Sequence, residues 1–294
     1  MLIAAVQMDV TLGQPQANVA RMQRYLREAA AAGAELTIFP ECAVPGYCFE
    51  SLEEARPFAQ PVPGPATIEM AHACREASTG DVPRFAVFGM LEVDGERLFN
   101  AAVLVGPNGV VGVYRKVHLP FLGVDMHTTH GDQPFAVHAA GAVRVGMSIC
   151  YDAAFPEASR TLALLGADLI ALPTNWPPGA ECVAQHTINT RAMENAVYFA
   201  AVNRVGTERG FSFIGQSRIC DPSGRTLAEA GMDETVLYAE IDPARARQKR
   251  VVRVAGKHEI DRLADRRPEM YGALVASHEL PGPREPSHAP QSAE

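Results

Sequence analysis

The chain has 294 residues, with 26 Lys and Arg against 34 Asp and Glu, and therefore a formal net charge of −8. Nucleic-acid-binding proteins and proteins that dock on anionic membranes need a basic face, so this balance argues against both classes. With 47% hydrophobic and 20% charged residues, the composition is that of a globular protein with one large domain or two small ones.

The N-terminal segment and the cysteines predict a cytoplasmic protein. No run approaches the roughly 18 apolar residues that span a membrane. Residues 1–7 lack the basic and long apolar regions of a signal peptide and predict a strand instead. Six scattered cysteines are typical of reduced thiols, and a free thiol can serve as a nucleophile. They are Cys42, Cys48, Cys74, Cys150, Cys182 and Cys220.

Apolar periodicity in the first half predicts alternating strands and helices. Gly33 is placed to end the first helix, and Asp94-Gly95 is a hairpin turn signal. In chain order we expect strand 2–8, helix 18–32, strand 35–39, helix 66–77, and strands 85–92, 98–105 and 110–114.

The second half repeats this order. Gly33-Ala34-Glu35-Leu36 resembles Gly166-Ala167-Asp168-Leu169, and residues 100–109 resemble 215–224. Two such copies form two mixed sheets, each with helices on one face, and burial of the other faces gives a four-layer α-β-β-α sandwich. We therefore expect one domain over 1–275 and a mobile, proline-rich tail over 276–294. The expected second-half elements are strand 143–149, helix 156–165, strand 169–172, helix 184–195, and strands 197–202, 213–220 and 226–230.

Three reactive side chains directly follow predicted strands, where active groups collect in open α/β sheets. They are Glu41, Lys116 and Cys150. A thiol needs a base to become a nucleophile, and a carboxylate can take its proton. An ammonium group can stabilise a developing oxyanion. The three together predict covalent nucleophilic catalysis.

The sequences around these residues resemble the three motifs of the nitrilase superfamily of carbon–nitrogen hydrolases. Three motifs in the right order are far more specific than one. The resemblance covers roughly residues 1–275. The matching segments are Phe39-Pro40-Glu41 with Pro45-Gly46-Tyr47, residues 114–120, Ile149-Cys150-Tyr151-Asp152 with Phe155-Pro156-Glu157 and Arg160, Asn175-Trp176-Pro177, residues 191–195 and residues 265–271.

The resemblance implies that Cys150 is the nucleophile, Glu41 the general base and acid, and Lys116 the third catalytic member. Lys116 and the backbone N–H of Tyr151 would then hold the oxyanion while a thioester forms. No metal or organic cofactor is implied. The family's second glutamate is replaced by the shorter Asp125, which we expect in the same site.

Further candidates are the pocket walls and a histidine-rich stretch. Trp176, Tyr47, Tyr151 and Phe155 are expected to contact substrate. The stretch of His118, His127, His130, Asp132 and His138 matches no common zinc signature, so we interpret these as loop residues rather than metal ligands.

The predicted activity is hydrolysis of a small, linear, short aliphatic amide to a carboxylate and ammonia. Tyr-Asp follows the nucleophile, whereas true nitrilases resemble Cys-x-Trp-Glu. An N-carbamoyl amine or amino-acid hydrolase with the same triad is the alternative. A non-catalytic scaffold and a metal-dependent hydrolase are further hypotheses. By resemblance we expect a homodimer or larger homo-oligomer, with residues 270–271 at the contact, and neither a nucleic-acid nor a membrane partner.

Overall fold

The computed structural model describes residues 1–277 and 282–283. The first half contains β1 Leu2–Gln7, α1 Pro15–Ala31, β2 Leu36–Ile38, α2 Leu52–Ala55, α3 Pro65–Ala77, β3 Phe85–Asp94, β4 Arg97–Gly106 and β5 Gly109–Arg115. The second half contains β6 Val137–Ala140, β7 Val143–Met147, α4 Pro156–Leu164, β8 Leu169–Pro173, α5 Ile188–Asn195, β9 Tyr198–Val202, β10 Thr207–Glu208, β11 Phe211–Ser212, β12 Arg218–Cys220, β13 Thr226–Glu229, β14 Thr235–Glu240, α6 Pro243–Arg247, β15 Arg250–Val254 and β16 His258–Asp261.

Two six-stranded sheets repeat one topology. Their strand orders are β14-β1-β2-β3-β4-β5 and β13-β12-β9-β8-β7-β6. In each, the first three strands of the repeat are parallel and the next two antiparallel. One further antiparallel strand joins each sheet, β14 beside β1 and β6 beside β7. The predicted pair of mixed sheets is therefore confirmed.

The helices and the second sheet cover opposite faces of each sheet. Between the sheets lies a cluster of apolar residues from both, including Val87 and Leu169. α1 and α3 cover the outer face of the first sheet, and α4 and α5 that of the second. Burial of each large aliphatic side chain stabilises the fold by about 1.5–3 kcal/mol. This is the predicted α-β-β-α sandwich.

The predicted strand 213–220 is wrong in its first part. Only Arg218–Cys220 belongs to the sheet. Gly215 and Gln216 have φ of +62° and +55°, which no strand accommodates. Ser217 N–H instead donates to Gln7 Oε1 at 3.0 Å, so a side chain from β1 replaces a ladder hydrogen bond.

Other boundaries differ where tertiary contacts decide. The helix predicted over 184–195 begins as a π-helical turn, Val183–Thr187, before α5. β6 and β14 were not predicted, since neither carries a long apolar run and each is an edge strand.

Most of the predicted mobile tail, 276–294, lies outside the described residues, so both the tail and the domain boundary stay predictions. Within the described part of the chain, no helix is long and apolar enough to cross a membrane.

Candidate active site

Glu41 lies in a turn at the end of β2, fully buried. The chain continues from β2 alongside β3, where Phe39 N–H donates to Val87 O at 2.8 Å and Gly89 N–H to Pro40 O at 3.0 Å. A Cβ on Gly89 would lie 2.6 Å from the Cα of Glu41. Glycine at position 89 is therefore what lets this turn lie against β3.

Lys116 follows β5 and is also fully buried. Its backbone N–H donates to Asn100 O in β4 at 2.8 Å, and its carbonyl accepts from Gly131 N–H at 2.8 Å. Both main-chain groups are thus satisfied, and the side chain extends to the end of β2.

Cys150 opens a short 3₁₀ helix, Cys150–Ala154, and lies three residues beyond the end of β7. Its φ is +45°, a sparsely populated conformation for a non-glycine residue that costs of order 1–3 kcal/mol and concentrates at functional sites. The buried carboxylate of Asp152 accepts from Ile149 N–H and Tyr114 OH, both at 2.7 Å. Asp152 thereby holds the turn in this conformation.

A second contact ties the cysteine turn to the lysine segment. His118 Nδ1 lies 2.6 Å from Asp152 Oδ1. Because Tyr114 and His118 flank Lys116 in sequence and both contact Asp152, the positions of Lys116 and Cys150 are coupled.

The buried acidic groups surround the ammonium of Lys116. Lys116 Nζ lies 2.7 Å from Glu41 Oε1 and 2.5 Å from Asp125 Oδ2. Asn100 Nδ2 donates to Glu41 Oε1 at 2.7 Å and to Asp125 Oδ1 at 2.8 Å. The hydroxyl of Tyr47 donates to Asp125 Oδ2 at 2.9 Å. We call Glu41, Lys116, Asp125, Asn100 and Tyr47 the carboxylate cluster.

One carboxylate oxygen of this cluster has no hydrogen-bond donor among the described residues. Glu41 Oε2 is buried and accepts no hydrogen bond from any residue that the structure describes. An unsatisfied buried acceptor is costly, and in native proteins it requires an explanation. Glu41 Oε2 is therefore available to accept a proton.

Burial and charge set the protonation of the site. Burial raises the pKa of Glu41, an effect that the Lys116 ammonium opposes and the Asp125 charge reinforces. Burial would lower the pKa of Lys116, but Asp125 and Glu41 raise it well above its usual range, so the ammonium stays charged.

Burial, with the charge of Glu41, raises the pKa of the Cys150 thiol to about 12, although the Lys116 charge and contacts with Thr174 and the Asn175 backbone oppose this. A raised pKa favours the thiol form of Cys150 over the thiolate.

The expected pocket residues occupy different environments. Tyr47, 1% exposed, belongs to the carboxylate cluster. Trp176, 4% exposed, packs in the helix-side core of the second sheet, against which Cys150 also packs. Phe155 stacks on His118 at 3.8 Å and meets the exposed Tyr151 edge-on at 5.1 Å. Their contacts with substrate stay predictions.

Sequence reasoning missed Asn100 and the contacts of Asp152. Asn100 carried a signal, because a polar residue interrupts the apolar strand of residues 98–105. The cysteine motif contains Asp152 but indicates no role for it. Its role depends on Tyr114 and His118, which only the folded chain brings to it.

The histidine-rich stretch forms no metal centre within residues 1–277 and 282–283, where no three His, Cys, Asp or Glu side chains are placed to bind one ion. His118 contacts Asp152, and His130 Nδ1 lies 2.8 Å from Val117 O.

Comparisons with known proteins identify a matching family and several similar proteins. The carbon-nitrogen hydrolase family model matches residues 2–251. A protein named nitrilase from Pyrococcus abyssi is 39% identical over 92% of this chain and 98% of its own. An (R)-stereoselective amidase from Pseudomonas sp. is 34% identical over 92% of this chain and 93% of its own.

A solved structure is similar over nearly the whole chain. It is a variant of the amidase from Nesterenkonia sp. AN1 with the acetamide moiety of fluoroacetamide covalently added at its active-site cysteine. It is 25% identical, covers 94% of this chain and 97% of its own, and superposes with a TM-score of 0.77.

Proposed function

Because this chain belongs to the carbon–nitrogen hydrolase family, we propose that it hydrolyses a small, linear, short aliphatic amide to a carboxylate and ammonia through a thioester on Cys150. The single observation that carries the proposal is the unpaired Glu41 Oε2, buried in a cluster that also holds a charged lysine. Relatives named nitrilase and amidase support the reaction class.

The first half-reaction forms the thioester. Glu41 Oε2 takes the thiol proton as Cys150 Sγ attacks the amide carbonyl carbon. The Lys116 ammonium and the backbone N–H of Tyr151 stabilise the oxyanion. Protonated Glu41 then gives its proton to the amide nitrogen, the C–N bond breaks, and ammonia leaves.

The second half-reaction releases the acid. Glu41 takes a proton from water, whose oxygen attacks the thioester carbonyl carbon. The C–S bond breaks, and Glu41 returns the proton to the Cys150 sulfur. A base with a raised pKa suits both transfers, because it accepts and donates a proton within a narrow range of pH.

One observation supports a small substrate, and a second supports a reducing compartment. In the similar Nesterenkonia structure the group on the active-site cysteine is an acetamide moiety, a two-carbon amide. All six cysteines of this chain are free, which fits the cytoplasm.

The test is ammonia release from a panel of short aliphatic amides, N-carbamoyl amines and amino acids, and nitriles. We expect turnover of the amides and a loss of about 10⁴-fold or more in Cys150→Ala. The matched control is Cys74→Ala, which removes a buried thiol from α3 on the far side of the first sheet and should keep its turnover.

Other outcomes would redirect the proposal. Release from carbamoyl compounds alone would establish the alternative activity. Acid formation from nitriles alone would contradict an amidase. Near-normal turnover in Cys150→Ala would refute the nucleophile.

A further inference from the structure

Asn100 is a neutral member of the carboxylate cluster, and its amide nitrogen contacts both carboxylates. We propose that Asn100 is a positioning residue, which holds Glu41 and Asp125 on Lys116 and makes Glu41 Oε2 the reacting oxygen. The inference rests on the proposed function, in which Glu41 is the base.

The orientation of the Asn100 amide is set by its contacts. Nδ2 lies 2.7 Å from Glu41 Oε1 and 2.8 Å from Asp125 Oδ1, so each of its two N–H bonds has one carboxylate acceptor. Oδ1 lies 3.6 Å from the Cys42 sulfur, whose thiol donates to it. The reverse orientation would place an amide oxygen against two carboxylates, where it has nothing to donate.

The main chain of Asn100 also contacts the main chain of Lys116. Its carbonyl accepts from Lys116 N–H at 2.8 Å, between the ends of β4 and β5. A single residue on β4 therefore contacts the acid, the second carboxylate and the lysine, and it does so while fully buried.

The charges of the cluster explain why this contact matters. Two carboxylates share one ammonium, and the charge of Asp125 raises the pKa of Glu41 in addition to the effect of burial. Donation from Asn100 opposes that rise, because a hydrogen bond to the charged form favours it. Asn100 thus adds to the larger effect of the Lys116 ammonium, and both favour the ionised form of Glu41 against burial.

The same contacts select one oxygen of Glu41. Oε1 accepts from both Lys116 and Asn100, whereas Oε2 accepts from no described residue. With both donors on Oε1, the carboxylate is held by two contacts and Oε2 stays available to accept a proton. Without Asn100, the carboxylate can rotate about its remaining contact.

The experiment compares the pH dependence of kcat/KM in the wild type, Asn100→Ala and Asn100→Asp. We expect kcat to fall by about ten- to a hundredfold in Asn100→Ala, the effect of a lost hydrogen bond to a charged group. KM should change little, since Asn100 does not touch substrate. The acid limb of the kcat/KM profile should move to higher pH in Asn100→Ala, because Glu41 loses a hydrogen bond that favours its charged form. It should move further still in Asn100→Asp, which adds a third carboxylate.

The control is Asn195→Ala, which removes another fully buried asparagine whose Nδ2 donates to Arg191 O within α5. It should lower thermal stability and leave the acid limb in place. If Asn100→Ala behaves in the same way, Asn100 is merely structural and the proposal is overturned. Asn100→Asp keeps the side-chain volume and carries the test if Asn100→Ala does not fold.

A second readout separates this inference from the proposed function. Alkylation of Cys150 by iodoacetamide, followed by peptide mass spectrometry, needs no substrate but still requires removal of the thiol proton. The acid limb of its rate should shift upward in Asn100→Ala even if no amide is turned over. An unshifted alkylation profile would overturn the role of Asn100, whatever the substrate panel shows.

Discussion

At the scale of single residues, Asp125 shows how the backbone compensates for a short side chain. Its carboxylate still reaches Lys116 at 2.5 Å, although it is one methylene shorter than the glutamate that the family resemblance suggests. The 3₁₀ turn Gly123–Met126 carries it into the cluster. Gly123 has φ of +52°, and a Cβ there would lie 2.3 Å from the Tyr47 ring. Because this turn lies close to Tyr47, the shorter side chain of Asp125 still reaches the Lys116 ammonium.

We predict that Asp125→Asn lowers kcat/KM by about a hundredfold or more, because it removes one of the two charges that hold the Lys116 ammonium. Tyr47→Phe is the matched comparison, since it removes only the hydroxyl that donates to Asp125. It should cost about tenfold. Steady-state kinetics on the best amide of the panel measures both, and an unchanged rate in Asp125→Asn would remove it from the site.

At the scale of elements, the two halves repeat individual hydrogen bonds. Ala34 N–H donates to Ala29 O at 2.9 Å, and Ala167 N–H donates to Leu162 O at 3.0 Å, at the equivalent helix ends. The following acidic residues, Glu35 and Asp168, enter their sheets through equivalent backbone bonds. The repeated Gly-Ala-acid-Leu sequence therefore reports a repeated helix-to-strand turn.

The two acidic residues differ in their side-chain contacts. Asp168, 1% exposed as a side chain, accepts from Arg247 at 2.7 Å and from Arg144 at 3.2 Å. Burial would raise the pKa of Asp168, but hydrogen bonds from these arginines lower it below its usual value of 3.8. A carboxyl whose pKa falls on folding stabilises the fold above its unfolded pKa, and this stability is lost as pH falls through the folded pKa.

We predict that Asp168→Asn lowers the free energy of unfolding by about 2 kcal/mol at pH 7. The difference from the wild type should shrink below about pH 4, where the unfolded carboxyl begins to protonate. Urea unfolding at both pH values measures it. At the equivalent position, Glu35 forms no ion pair with any described residue. Glu35→Gln should therefore change the free energy of unfolding by about 0.5 kcal/mol or less. If Asp168→Asn lost equal free energy of unfolding at pH 7 and below about pH 4, its effect would not come from the charge of Asp168.

At the scale of the whole molecule, apolar side chains remain exposed on the C-terminal segment. Val252 is 50% exposed, Met270 72% and Leu274 61%. Exposed apolar patches of this kind mark interaction surfaces in many proteins. We propose that residues 250–275 contribute to a homodimer or larger homo-oligomer, as the family resemblance suggests for residues 270–271.

Light scattering is expected to give a mass of at least twice that of the 31.6 kDa chain. Val252→Asp with Leu274→Asp should shift the protein to a monomer, because two charges then enter the contact. Ile68→Asp places one charge on another exposed apolar residue, in α3, and should leave the dimer intact. A monomeric wild type would contradict the proposal.

Taken alone, the amino-acid sequence determined the sandwich and the three reactive residues. Alternation of strand and helix periods, glycine at helix ends and the repeat are local signals, and they predicted the strand ends at which Glu41, Lys116 and Cys150 lie. The family motifs predicted their chemical roles. These properties depend on neighbours within a few residues, which is why they could be predicted.

Only the tertiary structure decided which atoms meet. The contact of Asn100 with Glu41 spans 59 positions, and that of Tyr47 with Asp125 spans 78. Likewise, the strand predicted from residue 213 begins only at Arg218, because Gln7, 210 positions from Ser217, takes the hydrogen bond of the Ser217 N–H. Such contacts depend on how the sheets pack and on which polar groups are left unsatisfied by burial, and neither property is local in sequence.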